Sequence, residues 1–456
     1  MGTHLAIQRA GRLPRDLARF DASAARRPLG QARATRPGRT ELVIASVILA
    51  TYACGILRLL FNESGPGAAA YRAITTAGYL ATLVLLYPHR RAAWQLLCRS
   101  PVLALFCVLP VLSTLWSTSA GDTLIRSITL LGSAAMALYL ALRFPDRQLL
   151  WLVCINATGI AILSVVLIAA VPSIGTHTDA PWTGTWRGAY THKNALGPAM
   201  GLNAAWLALY CIERGRQTNR WAVIGLVLCC ALVIAARSIT GLIVLMTGIS
   251  VLLAIRVLGQ RIKHALAPAI LMLVPVAAAV VFFVLSTGLS ELVGGLGRDI
   301  TFSGRVPIWT ALWPFIEKNF WVGYGYEAFW VKSQIAVRVI EETLHFRPFY
   351  AHNGIVELFL SLGMTGVAIF SALFVVFLWR LVRLVARSPE STLGNMAALF
   401  TLSFVTANFS EVLILARNEA TWCLFLAFYL KLATPDARSM ATTAQTRRRP
   451  GTSGRW

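Results

Sequence analysis

The sequence predicts an all-α fold, a polytopic membrane protein of about twelve transmembrane helices with one large extracytoplasmic loop, and three observations carry that expectation. Hydrophobic residues make up 57% of the 456-residue chain, charged residues only 13%, and the mean hydropathy is +0.64. A soluble core of this size does not hide so much apolar surface. Apolar runs close to the roughly 20 residues that cross a hydrocarbon core recur along the chain. The loops between them alternate between basic and non-basic, which places the basic ones in the cytoplasm.

The runs fall near 42–61, 71–87, 101–116, 124–142, 149–171, 195–212, 221–236, 239–255, 266–287, 353–378, 393–409 and 417–433. Arg90, Arg91 and Arg99 follow the second, Arg143 and Arg147 the fourth, and Arg214, Arg216 and Arg220 the sixth. Arg256, Arg261 and Lys263 follow the eighth, Arg380, Arg383 and Arg387 the tenth, and Arg447, Arg448 and Arg449 the last. Residues 1–39 are rich in arginine, hold only Asp16 and Asp21 as acids, and contain no signal-type apolar stretch. Both termini are therefore expected in the cytoplasm, with basic tails at 1–39 and 435–456 around a membrane domain at 40–434. The net charge of +23 is spent on orientation, so nucleic acid is not expected as a partner.

The outer loops are then 62–70, 117–123, 172–194, a tight turn at Arg237-Ser238, 288–352 and 410–416. The long one is chemically distinct. Its acids, Glu291, Asp299, Glu317, Glu327, Glu341 and Glu342, balance Arg298, Arg305, Lys318, Lys332, Arg338 and Arg347. Within it Ser303-Gly304-Arg305 offers a cation on a turn, Gly323-Tyr324-Gly325 offers backbone able to approach a ligand, and His352-Asn353 stands at the mouth of a helix. Val306–Phe320 is amphipathic and reads equally as an interfacial helix and as one packed on the spans. In the 172–194 loop, Arg187, His192, Lys193 and Asn194 precede a helix start; they read equally as an anion site and as an interfacial anchor beside Trp182 and Trp186. Glu357 lies about 140° round the helix from His352, an intramembrane acid and so a site candidate.

No cysteine lies in an outer loop, so no disulfide framework is expected. His177, Asp179 and His192 lack tight ligand spacing, and His345 and His352 have no acidic or cysteine cluster beside them, so no metal is read. No P-loop or dinucleotide fingerprint appears, and no cofactor is expected.

TWRGAYTHKNALG, then SGRVPIW, GYGYEAF and AHNGIVELFLSLGMTG, together with STLWS before the span holding Arg126 and NFSE ending at Glu411, resemble the O-antigen ligase and polysaccharide polymerase superfamily of bacterial inner membranes. The likeness covers about 110–430, and the His-Lys-Asn block resembles the exopolysaccharide polymerase branch. It implies a metal-independent glycosyltransferase with a periplasmic active site. Its donor would be a glycan on undecaprenyl diphosphate; its acceptor another lipid-linked repeat in a polymerase, or lipid A core in a ligase. Membrane lipids and other polysaccharide assembly proteins would be its remaining partners. By the same resemblance Arg305 would bind the diphosphate and His352 would orient or deprotonate the acceptor hydroxyl. Arg187, His192, Lys193, Asn194, Arg237, Ser303, Gly304, Gly323, Gly325, Asn353, Glu357 and Glu411 would bind substrate. Relatives carry Ser-Arg-Thr or Ser-Lys-Thr where this chain has Arg237-Ser238-Ile239-Thr240, which moves the cation two positions, about 200° on a helix. The rival from another class is a lipid-linked oligosaccharide transporter or flippase, which would place its polar residues near midplane in broken helices.

Overall fold

The computed structural model describes residues 37–61, 65–178, 182–331 except 258–304, and 334–434. Among these the chain is helical, with one isolated antiparallel bridge between Thr176 and Trp186. In chain order the helices are α1 (Arg39–Ala53), α2 (Ile56–Phe61), α3 (Ala68–Leu86), α4 (Arg90–Cys98), α5 (Pro101–Leu112), α6 (Ala120–Arg143), α7 (Asp146–Ala170), α8 (Pro172–Gly175) and α9 (Lys193–Arg214). They continue with α10 (Arg220–Ala235), α11 (Ile239–Val257), α12 (Arg305–Lys318), α13 (Ile335–Leu344), α14 (Gly354–Arg387), α15 (Thr392–Asn408) and α16 (Ala420–Ala433). The expected run at 266–287, residues 1–36 of the first tail and the whole of 435–456 lie outside the described residues.

Each described apolar run forms a helix, but not each is long enough to cross a membrane alone. Five are: Ala68–Cys98, Ala120–Arg143, Asp146–Ala170, Lys193–Gln217 and Gly354–Arg387. Pro101–Leu115, Arg220–Ala235, Ile239–Ala254 and Ala420–Ala433 are shorter apolar helices, and the first run divides into α1 and α2 at Cys54-Gly55.

Small residues draw the helices together. A Cβ on Gly197 of α9 would stand 2.5 Å from that of Ser238, and one on Gly241 of α11 would meet the Gly197 backbone at 2.6 Å. Close approach of this kind replaces the hydrophobic drive that helices lack in lipid. Around α16 the packing is aromatic, with Phe425 stacked on Phe404 and Trp422 at 5.2 Å.

The loops that charge alternation puts on one side are the loops that touch. Thr118 donates its backbone N–H to Tyr324, Trp116 its indole N–H to Val322, and Tyr326 its hydroxyl to the Leu415 carbonyl. At the opposite ends of the helices, buried cations are paired: Arg143 with Glu41 at 2.8 Å, and Lys431 with Asp146 and the Phe144 carbonyl, both at 2.7 Å. Pairing is what makes such charges tolerable away from water.

Helix α14 is broken. Gly363 has φ 63° and ψ −163°, a region open to glycine alone. The polar groups released by the break are met by the chain after α12: Tyr324 and Gly325 donate to the carbonyls of Leu360 and Ser361, and Met364 and Thr365 donate to those of Phe320 and Trp321, at 2.7–3.1 Å. Gly363→Ala puts a methyl 2.4 Å from the Trp321 carbonyl carbon. It is expected to cost about 3 kcal/mol or more and to lower the melting temperature of purified protein by several degrees; a wild-type melting curve would refute the clamp.

Candidate active site

The turn before α14 is fixed at both backbone polar groups of one residue. Ala351 donates its N–H to Glu357 Oε2 at 2.8 Å, and its carbonyl accepts the Trp309 indole N–H at 2.8 Å. Glu357 also accepts from Trp330 Nε1 at 2.9 Å. Asn353 caps the helix, its Oδ1 accepting from the N–H groups of Ile355 and Val356 at 2.9 and 3.2 Å. Between them His352 is held at φ 51°, a left-handed conformation uncommon for a side chain of its size.

This turn meets Arg305, the first residue of α12, in a buried cluster. Arg305 Nη2 lies 3.4 Å from Glu411 Oε1, the Tyr350 hydroxyl 3.4 Å from Glu411 Oε2, and the rings of Tyr350 and His352 are 4.2 Å apart. Burial destabilises every charge here. It pushes Glu411 up to about 7 against the pull of Arg305, and pushes Arg305 down against the pull of Glu411. Burial also lowers His352 to about 3, helped by the charges of Arg305 and His192. The imidazole is thus neutral at physiological pH, and its Nδ1 is buried without a hydrogen-bond partner among the described residues.

Other expectations change with the geometry. The N–H groups at the start of α9 are not open to an anion, since Lys193 N donates to His177 Nε2 and Asn194 N to His192 Nδ1, both at 3.1 Å. His192 is therefore a helix cap; burial, then the nearby charges of His177, Lys193, Arg187 and Arg305, lower it to about 4. Arg187 donates to the carbonyls of Ile174 and Ser173 at 2.8 and 3.0 Å and staples its own loop. The His177 and His192 rings come within 4.7 Å despite their spacing in sequence, yet both spend a nitrogen on capping; Asp179 lies outside the described residues, as do Ser303 and Gly304.

Gly323 and Gly325 approach protein rather than ligand. Cβ atoms there would stand 2.7 Å from the Leu360 carbonyl and 2.5 Å from Ser117 Cβ. Arg237 occupies the turn between α10 and α11 at φ 49°, so a helical-wheel displacement does not describe its position. The amphipathic segment is packed on one face: Ile308, Leu312 and Ile316 bury against Phe329, Ile340 and Leu360, while Trp313 is exposed.

Beside the cluster opens a cavity of 530 Å³. Leu49, Val153, Ile160 and Leu424 form apolar parts of its wall; Arg58, Arg126, Glu327, Arg417 and Glu419 form polar ones. Asn194, Tyr350, Glu357 and Glu411 also line it, whereas Arg305 and His352 do not, being one residue removed behind Tyr350 and Glu411. Sequence reasoning missed Glu327, Tyr350, Arg417 and Glu419 as site residues. Two signals were available: Glu327 stands within the GYGYEAF block, and Arg417 lies close to the NFSE block.

Residues 224–371, which include Arg305, His352 and Glu357, match the family model described as O-antigen ligase. The chain resembles the O-antigen ligase and polysaccharide polymerase superfamily. Over 356 residues it is 27% identical to exopolysaccharide production protein ExoQ of Rhizobium meliloti (strain 1021), a likeness covering 74% of this chain and 78% of that protein. The O-antigen ligase match takes in the broken helix and His352 but stops short of Glu411, so the cluster is completed by a residue outside the matched region. With selectively ¹³C-labelled histidine, His352 is expected to show no titration between pH 5 and 8. Arg305→Gln, which removes one charge holding its pKa down, should move the titration upward; a midpoint near 6.5 in the wild type would contradict the buried environment.

Proposed function

We propose that the chain is a membrane glycosyltransferase that moves a glycan from a polyprenyl-diphosphate-linked donor to a sugar hydroxyl at the periplasmic face of the bacterial inner membrane. The observation that carries this reading is the buried Arg305–Glu411–Tyr350–His352 cluster set against a cavity that is polar on one wall and apolar on another. Similarity to an exopolysaccharide production protein favours repeat-unit polymerisation over transfer to lipid A core.

The chemistry balances without a nucleotide sugar. The bond from the anomeric carbon to the diphosphate breaks and a bond to the acceptor oxygen forms; the lipid diphosphate leaves with the electron pair, and the acceptor proton passes to His352. A neutral imidazole with an unpartnered Nδ1 is in the right state to accept it once the acceptor reaches past Tyr350, behind which His352 lies. Its low proton affinity rises when an anionic donor offsets the charge of Arg305, so the base strengthens with substrate in place. Arg305 adds positive potential where the leaving group gathers charge, in surroundings that screen it little.

The break at Gly363 and the ionisable cavity wall are the observations that favour the transporter alternative. Reconstitution with lipid-linked repeat units separates the two: elongated glycan on a gel is the outcome for a transferase, and translocation without elongation the outcome for a flippase. In that assay Arg305→Ala is expected to lose at least about 10²-fold of activity, and Arg305→Lys to recover little, since a point charge does not replace a planar fork. His352→Ala should bind donor and fail to transfer it, a loss of about 10²- to 10⁴-fold. Substantial activity in His352→Gln would assign the residue to positioning rather than proton transfer; wild-type elongation by His352→Ala would remove it from the site.

A pH profile tests Glu411 separately. Its charged form holds Arg305 and Tyr350 and is present above about 7, so transfer should fall as pH drops through 7, with no step from His352 near 6.5. Glu411→Gln is expected to abolish that step. A profile unchanged by the substitution would show that Glu411 does not control it.

A further inference from the structure

The donor's diphosphate needs cations, and Arg305 does not line the cavity: it is 5% exposed and engaged with Glu411. Two arginines that do line it converge from distant parts of the chain on one acid. Glu327 Oε2 is 3.0 Å from Nε of Arg417, in the loop before α16, and 3.7 Å from Nε of Arg126, in the second turn of α6. Arg126 donates from Nη1 to the backbone carbonyl of Glu327 as well. The three side chains stay partly open, Arg126 at 27%, Arg417 at 15% and Glu327 at 29% exposure, unlike Arg143 and Lys431, which are closed over at 6% and 0% and staple helices at the opposite end.

We propose that Arg126 and Arg417 are the diphosphate clamp of the cavity, and that Glu327 is the internal counter-ion which the bound diphosphate displaces. The proposal rests on the polyprenyl-diphosphate reading above and moves the headgroup from Arg305 to residues that face the cavity. Two guanidiniums on one carboxylate give this trio a net positive charge, and planar forks set side by side suit phosphate oxygens. The same cavity runs on to Leu49, Val153, Ile160 and Leu424, an apolar surface for the lipid attached to that headgroup. Arg58 adds a third cation, while Glu357, Glu411 and Glu419 face the same space. Burial raises Glu411 to about 7, so its charge at neutral pH is partial. Glu327 itself sits on backbone at φ 53° and donates its N–H to Ser361 Oγ at 3.4 Å, two residues before the break at Gly363. The clamp is thereby tied to the helix that begins just after His352.

Binding of a polyprenyl diphosphate to purified full-length protein, followed by native mass spectrometry with melting temperatures as a folding control, tests this. Arg126→Gln and Arg417→Gln should each weaken binding at least tenfold, and Glu327→Gln should tighten it severalfold by removing the competing charge. Arg305→Gln should lose less binding than the Arg126 and Arg417 variants and fail to transfer. Should a Gln variant not fold, Arg126→Lys and Arg417→Lys carry the test, with intermediate losses expected. Wild-type affinity in both Arg126 and Arg417 variants, or no tightening in Glu327→Gln, overturns the clamp. Competition by a lipid-free uronic acid oligosaccharide, or equal binding of a phosphate-free polyprenol, would also overturn it by assigning the cavity to another ligand. Failure of the wild type to bind any polyprenyl diphosphate would instead overturn the donor reading itself.

Discussion

The break in α14 at Gly363 is the constraint on which the rest of the site depends. A helix interrupted within a membrane protein exposes carbonyls and N–H groups that water does not reach, and each left unmet is costly. Here the segment 320–325 supplies both donors and acceptors, so it has to run against the break. That requirement explains the glycine at 323, where a Cβ would strike the backbone of Leu360–Leu362, whereas Gly325 makes room for Ser117. It also delivers the next residues, Tyr326, Glu327 and Trp330, to the cavity wall, and Trp330 in turn holds Glu357, which holds Ala351 beside His352. A backbone defect in one helix thus sets the position of a histidine eleven residues earlier and of an acid thirty-six residues earlier.

Burial, rather than charge pairing alone, sets the electrostatic character of the site. Arg305 and Glu411 attract one another, yet desolvation outweighs that attraction for both, leaving the acid near its midpoint at neutral pH. The same desolvation keeps His352 neutral. An arrangement of this kind is poorly suited to holding a permanent ion pair and well suited to responding when a multiply charged ligand arrives. Arg126, Glu327 and Arg417, more open to the cavity, lie at the wetter side of the same gradient.

Much of this was legible in the chain. Class and helix positions followed from apolar runs, because lipid demands internally satisfied backbone and a minimum length. Asn353 was readable as a helix-start residue from its chemistry. What was not legible was division of labour among polar residues. His192, Arg187 and the two glycines looked like ligand-binding groups in sequence and proved to satisfy the protein's own backbone.

The sequence by itself determined an all-helical membrane protein, since hydropathy is a property of single segments. Only the tertiary structure decided that His352 is neutral, that Arg305 is engaged by Glu411, and that Arg126 and Arg417 share Glu327 on a cavity wall. Those facts depend on residues separated by about a hundred positions or more meeting in a place of low dielectric, and neither the meeting nor the dielectric is a property of any segment alone.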